Sequence, residues 1–161
     1  MAEKPLRLKV IERIVEVLEA IKGDAGASYW YTPNDVVKRF ADPEQLTGYP
    51  YYMVAPDSSP QSPEAAEELL DWEFFAVSVK AWIDLEGDEP TTKLEKCLAD
   101  VRKAVMADCL NTAGASSLAA LGIVSSAIDT VETDSGILSL EGRAYFDQRF
   151  IFKLPLAWGS I

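Results

Sequence analysis

Candidate chemistry in this chain rests on carboxylates and two thiols, because the 161 residues contain no histidine. That excludes Ser-His-Asp and Cys-His catalysis and histidine-based zinc sites. Cys97 and Cys109 lack a CxxC spacing, so neither a zinc knuckle nor a redox dithiol is expected. Twelve residues of helix would hold them about 18 Å apart, well beyond disulfide reach, and they read as small buried hydrophobes. No GxxxxGK[ST] occurs, and no GxGxxG follows a strand, so a phosphate cradle lacks its usual backbone. Asp84, Glu86, Asp88 and Glu89 share the composition of a calcium loop, but Pro90 follows at once and the twelve-residue ligand order is missing. An enzyme built here would have only Asp and Glu as acid and base, and no constellation for one is evident. The expectation is a non-enzymatic protein without cofactor or metal.

The acids matter more as a field than as ligands. Net charge is −11, yet residues 1–39 and 93–161 are each nearly balanced. Between Arg39 and Lys93 the only base is Lys80, against twelve acids that include Asp57, Glu64, Glu67, Glu68, Asp84, Glu86, Asp88 and Glu89. Such a segment repels phosphates, which argues against a DNA-binding module. It reads either as a solvated loop that aids solubility or as an acidic rim or lumen. No apolar run approaches a membrane span and no signal-peptide core follows the charged start, so a cytosolic, soluble chain with no membrane partner is expected.

Periodicity supplies the elements that must position these groups. Val10, Ile11, Ile14, Val17, Leu18 and Ile21 form a helical stripe, with Pro5 suited to its first turn. Tyr29 to Phe40 should hold two short extended pieces, and Tyr49 to Val54 a strand with Pro50 at its start or edge. Pro56, Pro60 and Pro63 mark a long acidic loop at about 55–71. From Glu73 to Leu85 the odd positions Phe75, Val77, Val79, Ala81, Ile83 and Leu85 make one apolar row of a strand. Leu94, Cys97, Leu98, Val101, Val105 and Met106 then mark a helix from about Thr91 to Asp108, with Thr91 or Thr92 as N-cap and Glu95 completing a capping box. Residues 112–127 read as a loop feeding a strand firm from about Ile123, turning at Asp134-Ser135-Gly136. Arg143 to Leu154 alternates again, with Ala144, Phe146, Phe150, Phe152 and Leu154 on one side.

The expected architecture is one α+β domain over residues 1–161, an antiparallel or mixed sheet with two helices packed on one face as a two-layer sandwich. Trp72, Phe74, Lys80 and Trp82 fall on the face of the long strand opposite its core row. They are candidates for a subunit or partner interface, since aromatic residues mixed with a few charges suit one. Ala157-Trp158-Gly159-Ser160-Ile161 is either a frayed end or a docking tail.

Three stretches together resemble the tail terminator and tail completion proteins of long-tailed bacteriophages. They are the N-terminal helix Ile11-xx-Ile14-xxx-Leu18-xx-Ile21 followed by Val36-Val37-Lys38-Arg39, the Tyr49-Pro50 strand leading through an acidic loop into Phe75 to Leu85, and the helix Leu94 to Val105 followed by a hairpin and the closing Phe150-Ile151-Phe152-Lys153-Leu154. The resemblance spans nearly the whole chain as an order of elements. It implies a virion protein, assembled in the host cytoplasm, that forms a ring, a hexamer, on the tail tube, stops its growth and presents the head-joining surface. Implied partners are other copies, the tube protein and the head-tail connector, with DNA passing through unbound past acidic residues. The alternative is an acidic binding or inhibitor module that mimics nucleic acid toward a basic protein; it would lose binding when Glu64, Glu67 and Glu68 become Gln.

Overall fold

The structure, a computed structural model, describes residues 4–23, 28–40, 46–58, 72–84, 86, 89–123, 125–134 and 143–155. Helix α1 spans Leu6–Glu19, strand β1 Asp35–Val37, β2 Tyr51–Asp57, β3 Trp72–Asp84, helix α2 Pro90–Leu110, β4 Ser125–Asp134 and β5 Arg143–Pro155. The five strands form one mixed sheet in the order β1-β2-β3-β5-β4, in which only β1 and β2 are parallel. Two helices on a mixed sheet make this an α+β fold.

β3 and β5 form its spine, paired without interruption from Trp72 opposite Pro155 to Asp84 opposite Arg143. Alternation sets the faces. Phe75, Val77, Val79, Ala81 and Ile83 meet Phe152, Phe150, Gln148, Phe146 and Ala144 across the ladder, and all ten are buried. Val10, Ile14 and Leu18 of α1 join the same core, as do Leu94, Cys97, Leu98, Val101, Ala104 and Val105 of α2. Spacings of three and four place each of those sets on one side of its helix.

Long-range polar ties fix the helices to each other and to their loops. Arg13 donates through Nε and Nη2 to the two oxygens of Asp108, at 3.0 and 2.7 Å, and Asp108 also accepts the Leu118 N–H at 2.8 Å. Asp100, buried in α2, accepts the backbone N–H groups of Trp30 and Tyr31 at 2.8 and 3.0 Å. Those donors are therefore satisfied by a side chain rather than by a strand. This accounts for one short strand, β1, where two extended pieces are expected between Tyr29 and Phe40. Gly23 lies so close to the Tyr31 backbone that a Cβ there would sit at 2.5 Å, which brings the exit of α1 against this segment.

Three boundaries differ from expectation. Pro5 stands at the N-cap of α1 rather than inside its first turn. The N-cap of α2 is Glu89, whose carboxylate accepts the N–H groups of Thr91 and Thr92 at 3.3 and 3.0 Å. Pro90 needs no N–H partner at the first helical position, so the helix starts earlier than a threonine cap would allow. The loop expected at about 55–71 begins later, because Ala55, Pro56 and Asp57 pair with Ser78, Val77 and Ala76. β1 lies beside β2 only as far as Met53, so Pro56 occupies a stretch whose outer edge needs no donor. Residues 59–71, including Glu64, Glu67 and Glu68, lie outside the described residues, as do Leu85, Asp88, the Ser135-Gly136 turn and the tail Ala157 to Ile161.

Candidate functional site

The sheet face turned away from the helices collects the residues singled out in the sequence. Trp72, Phe74, Lys80 and Trp82 are all half-buried there, on the side of β3 opposite its core row. β5 supplies their cross-strand neighbours: Tyr145 opposite Trp82, Asp147 opposite Lys80, Arg149 opposite Ser78 and Lys153 opposite Phe74. At the centre, Lys80 Nζ lies 3.1 Å from Asp147 Oδ2, the buried Ser78 hydroxyl donates to Asp147 Oδ1, and the Tyr145 hydroxyl reaches the same carboxylate at 3.4 Å. Burial pushes the Lys80 ammonium toward neutrality, but the Asp147 hydrogen bond and charge outweigh it and raise its pKa. Lys80 therefore stays charged and cannot serve as a neutral base near pH 7.

Aromatic rings frame this ion pair. Trp82 and Tyr145 pack with centroids 5.2 Å apart, and Lys80 Nζ also sits 4.5 Å above the exposed Phe40 ring. Lys153 lies over Trp72 at 5.5 Å and Arg143 over Tyr49 at 6.0 Å. At one corner Arg149 Nε is 3.7 Å from Asp57, and Arg149 Nη2 donates to the Ser58 carbonyl. Ten residues of strand separate the two tryptophans, about 33 Å at the usual rise. The sequence does place Tyr145, Asp147, Arg149 and Lys153 opposite the core row of β5. What it lacks is the register that makes them partners of Lys80 and Trp82.

Among the described residues the candidate acids Asp57, Asp84, Glu86 and Glu89 do not form one patch. Asp57 pairs across to Ala76, eight residues from Asp84 along β3, which places the two about 26 Å apart. Asp84 binds Lys93, whose Nζ also donates to the Glu86 carbonyl at 2.7 Å. Glu86 is exposed beside them, and Glu89 is committed to the α2 cap, where hydrogen bonds from Thr92 and Thr91 lower its pKa. Paired carboxylates contribute little to a long-range field. Glu64, Glu67, Glu68 and Asp88 lie outside the described residues.

Elsewhere the described residues offer little reactive chemistry. A cleft of about 370 Å³ between the helices is lined by Arg13, Glu16, Val17, Tyr29 and Asp108. Its most buried acid is locked in the Arg13 fork. Burial pushes the Cys97 thiol up to about 12, and Cys109 is shifted the same way. Among the described residues no three Cys, Asp or Glu side chains converge as metal ligands, and no helix is long and apolar enough to cross a membrane. No protein-family model matches this chain, and no curated protein matches it in sequence.

Proposed function

We propose that this protein is a structural subunit of a phage virion, a terminator-like component that caps the tail tube as a ring, ends its polymerisation and presents the surface to which the head joins. The observation that carries this reading is the helix-free sheet face, with Trp72 and Trp82 at its ends and the Lys80–Asp147 pair between them. Aromatic anchors around a satisfied ion pair suit a contact surface better than a reaction site. The order of elements agrees with the resemblance seen in the sequence.

Area limits what that face can do alone. Five strands at about 4.8 Å spacing and a length near 33 Å span at most roughly 800 Å², and because Tyr51, Met53, Ala55, Ala76 and Ser78 on that face are already buried, what stays open falls below the roughly 800 Å² per partner of a standard stable interface. A tube contact of this size would need reinforcement from neighbouring copies, which a ring provides. The nucleic-acid mimic is less well supported, because Asp57, Asp84 and Glu89 are engaged with local partners.

Electron microscopy of the purified protein, alone and mixed with tail tubes, tests the proposal. Rings or capped tube ends are expected; rings seen only with tubes would mean that the tube acts as template. A protein that stays monomeric and never decorates tubes would rule the reading out.

A further inference from the structure

The seam between the two helices stays open on its solvent side. Arg13, Glu16, Val17 and Ala20 form one wall of the cleft there, and Ala104, Ala107, Asp108 and Asn111 form the other. Each wall follows an i, i+3, i+4, i+7 spacing, so the trough runs along two turns of both helices, about 10 Å. Three of these wall residues are alanine, which leaves about 370 Å³ unfilled. The polar groups are spent on one another: Arg13 donates through three nitrogens to Asp108 and Glu16, Asp108 also takes the Leu118 N–H, and Asn111 Oδ1 accepts the Gly114 N–H at 3.1 Å. What the trough offers is therefore apolar volume between alanines and Val17, not hydrogen bonds.

The two most exposed large hydrophobic side chains among the described residues flank it, Trp30 at 61% and Leu110 at 78%. Trp30 follows Tyr29 and Leu110 precedes Asn111, and both of those neighbours line the cleft. Trp30 is presented rigidly, because Asp100 holds its N–H and Lys96 Nζ lies 4.9 Å from its ring centre. Lys96 and Leu110 stand about 21 Å apart along α2. The two rims differ in charge. Lys96 and Lys103 line the α2 side, where Lys103 Nζ lies 5.3 Å from the Tyr29 ring centre, whereas the α1 side carries the exposed acids Glu16 and Glu19. Glu95 is exposed as well, but it points about 100° round the helix from Lys96.

We propose that this trough docks an amphipathic helix of a partner protein, about four turns long, with its apolar stripe seated between Trp30 and Leu110, carboxylates on the flank over α2 and amines on the flank over α1. A third helix laid on a two-helix seam fits its own ridge of side chains into the groove, which an extended strand does not. Trp30 is the kind of fixed aromatic anchor that dominates such contacts. The site lies on the helix layer, on the other side of the sheet from the Lys80–Asp147 face, so it adds a second partner and stands apart from the ring reading.

Calorimetry and two-dimensional NMR on the full chain should be run against three synthetic peptides of about 18 residues. One carries leucines at i, i+3, i+4 and i+7 with Glu on one flank and Lys on the other, one carries the same stripe with Lys on both flanks, and one is a scramble of the first. The first should bind and shift the amides of Tyr29, Ala104 and Ala107. Ala107→Leu, which fills the trough, and Trp30→Ala should each weaken it at least about tenfold while circular dichroism shows the fold intact. Lys96→Glu should weaken the first peptide and strengthen the lysine-flanked one. A scramble that binds as tightly, binding unmoved by Ala107→Leu and Trp30→Ala, or no binding of the first peptide at about 1 mM would overturn the site.

Discussion

At the scale of single residues, the buried acids divide into two kinds whose effects on stability have opposite sign. Burial pulls the Asp108 carboxyl upward, but the Arg13 fork and the Leu118 N–H outweigh it and hold it below the ordinary carboxylate range. Its contribution is complete above the unfolded value near 4 and is lost as pH falls through the lower folded value. Asp108→Ala should therefore cost about 3 kcal/mol at pH 7 in urea denaturation, with Arg13 partly exposed. That gap should narrow below about pH 4. Asp100 behaves in reverse, since burial exceeds the help of the Tyr31 and Trp30 N–H groups and raises its pKa. The cost of its charge is felt above the raised value and relieved as pH falls through it. Asp100→Asn keeps an acceptor and should change stability by less than about 1 kcal/mol at pH 7, whereas Asp100→Ala strands two donors and should cost about 1 to 3 kcal/mol. Equal losses in the two Asp100 variants would show that the carbonyl-like acceptor is not what holds Trp30 and Tyr31.

At the scale of elements, the β3–β5 ladder carries the fold and the helix ends tune it. Phe150 lies opposite Val77 at full burial, so Phe150→Ala should cost about 3 to 5 kcal/mol, read from the shift in denaturation midpoint. Glu89 caps α2 from an exposed position. Glu89→Ala should lower Tm, and Glu89→Asp or Glu89→Ser should recover part of the loss in a thermal melt. If Thr92→Ala lowered Tm while Glu89→Ala left it unchanged, the helix would begin at threonine after all. Helix stripes and strand alternation make these elements readable in advance, because both are set by neighbours a few residues apart. Their ends are less readable: Pro90 and Pro56 each act through whether a donor is needed at their position, which depends on what lies alongside.

At the scale of the whole molecule, one sheet face is consumed by the core, while on the other Tyr51, Met53, Ala55, Ala76 and Ser78 are also buried and Trp72, Phe74, Lys80 and Trp82 stay half-buried around them. Trp72→Ala and Trp82→Ala should each leave stability within about 1 to 2 kcal/mol, because both side chains are only half-buried, yet abolish capping of tail tubes in pull-down and microscopy. A loss of tube binding that merely tracked a loss of fold would remove this face as the contact surface. From the sequence alone came the two helical stripes, the inward rows of β3 and β5, the outward set of Trp72, Phe74, Lys80 and Trp82, and the lack of histidine-based chemistry. All of these follow from local period or from composition. Only the tertiary structure joined Lys80 to Asp147, Arg13 to Asp108 across 95 positions, and Asp100 to Trp30, and only it separated Asp57 from Asp84 along the sheet. Which side a residue faces is decided by its immediate neighbours in the chain, whereas which residue it meets is decided by register and packing between segments that local spacing does not encode.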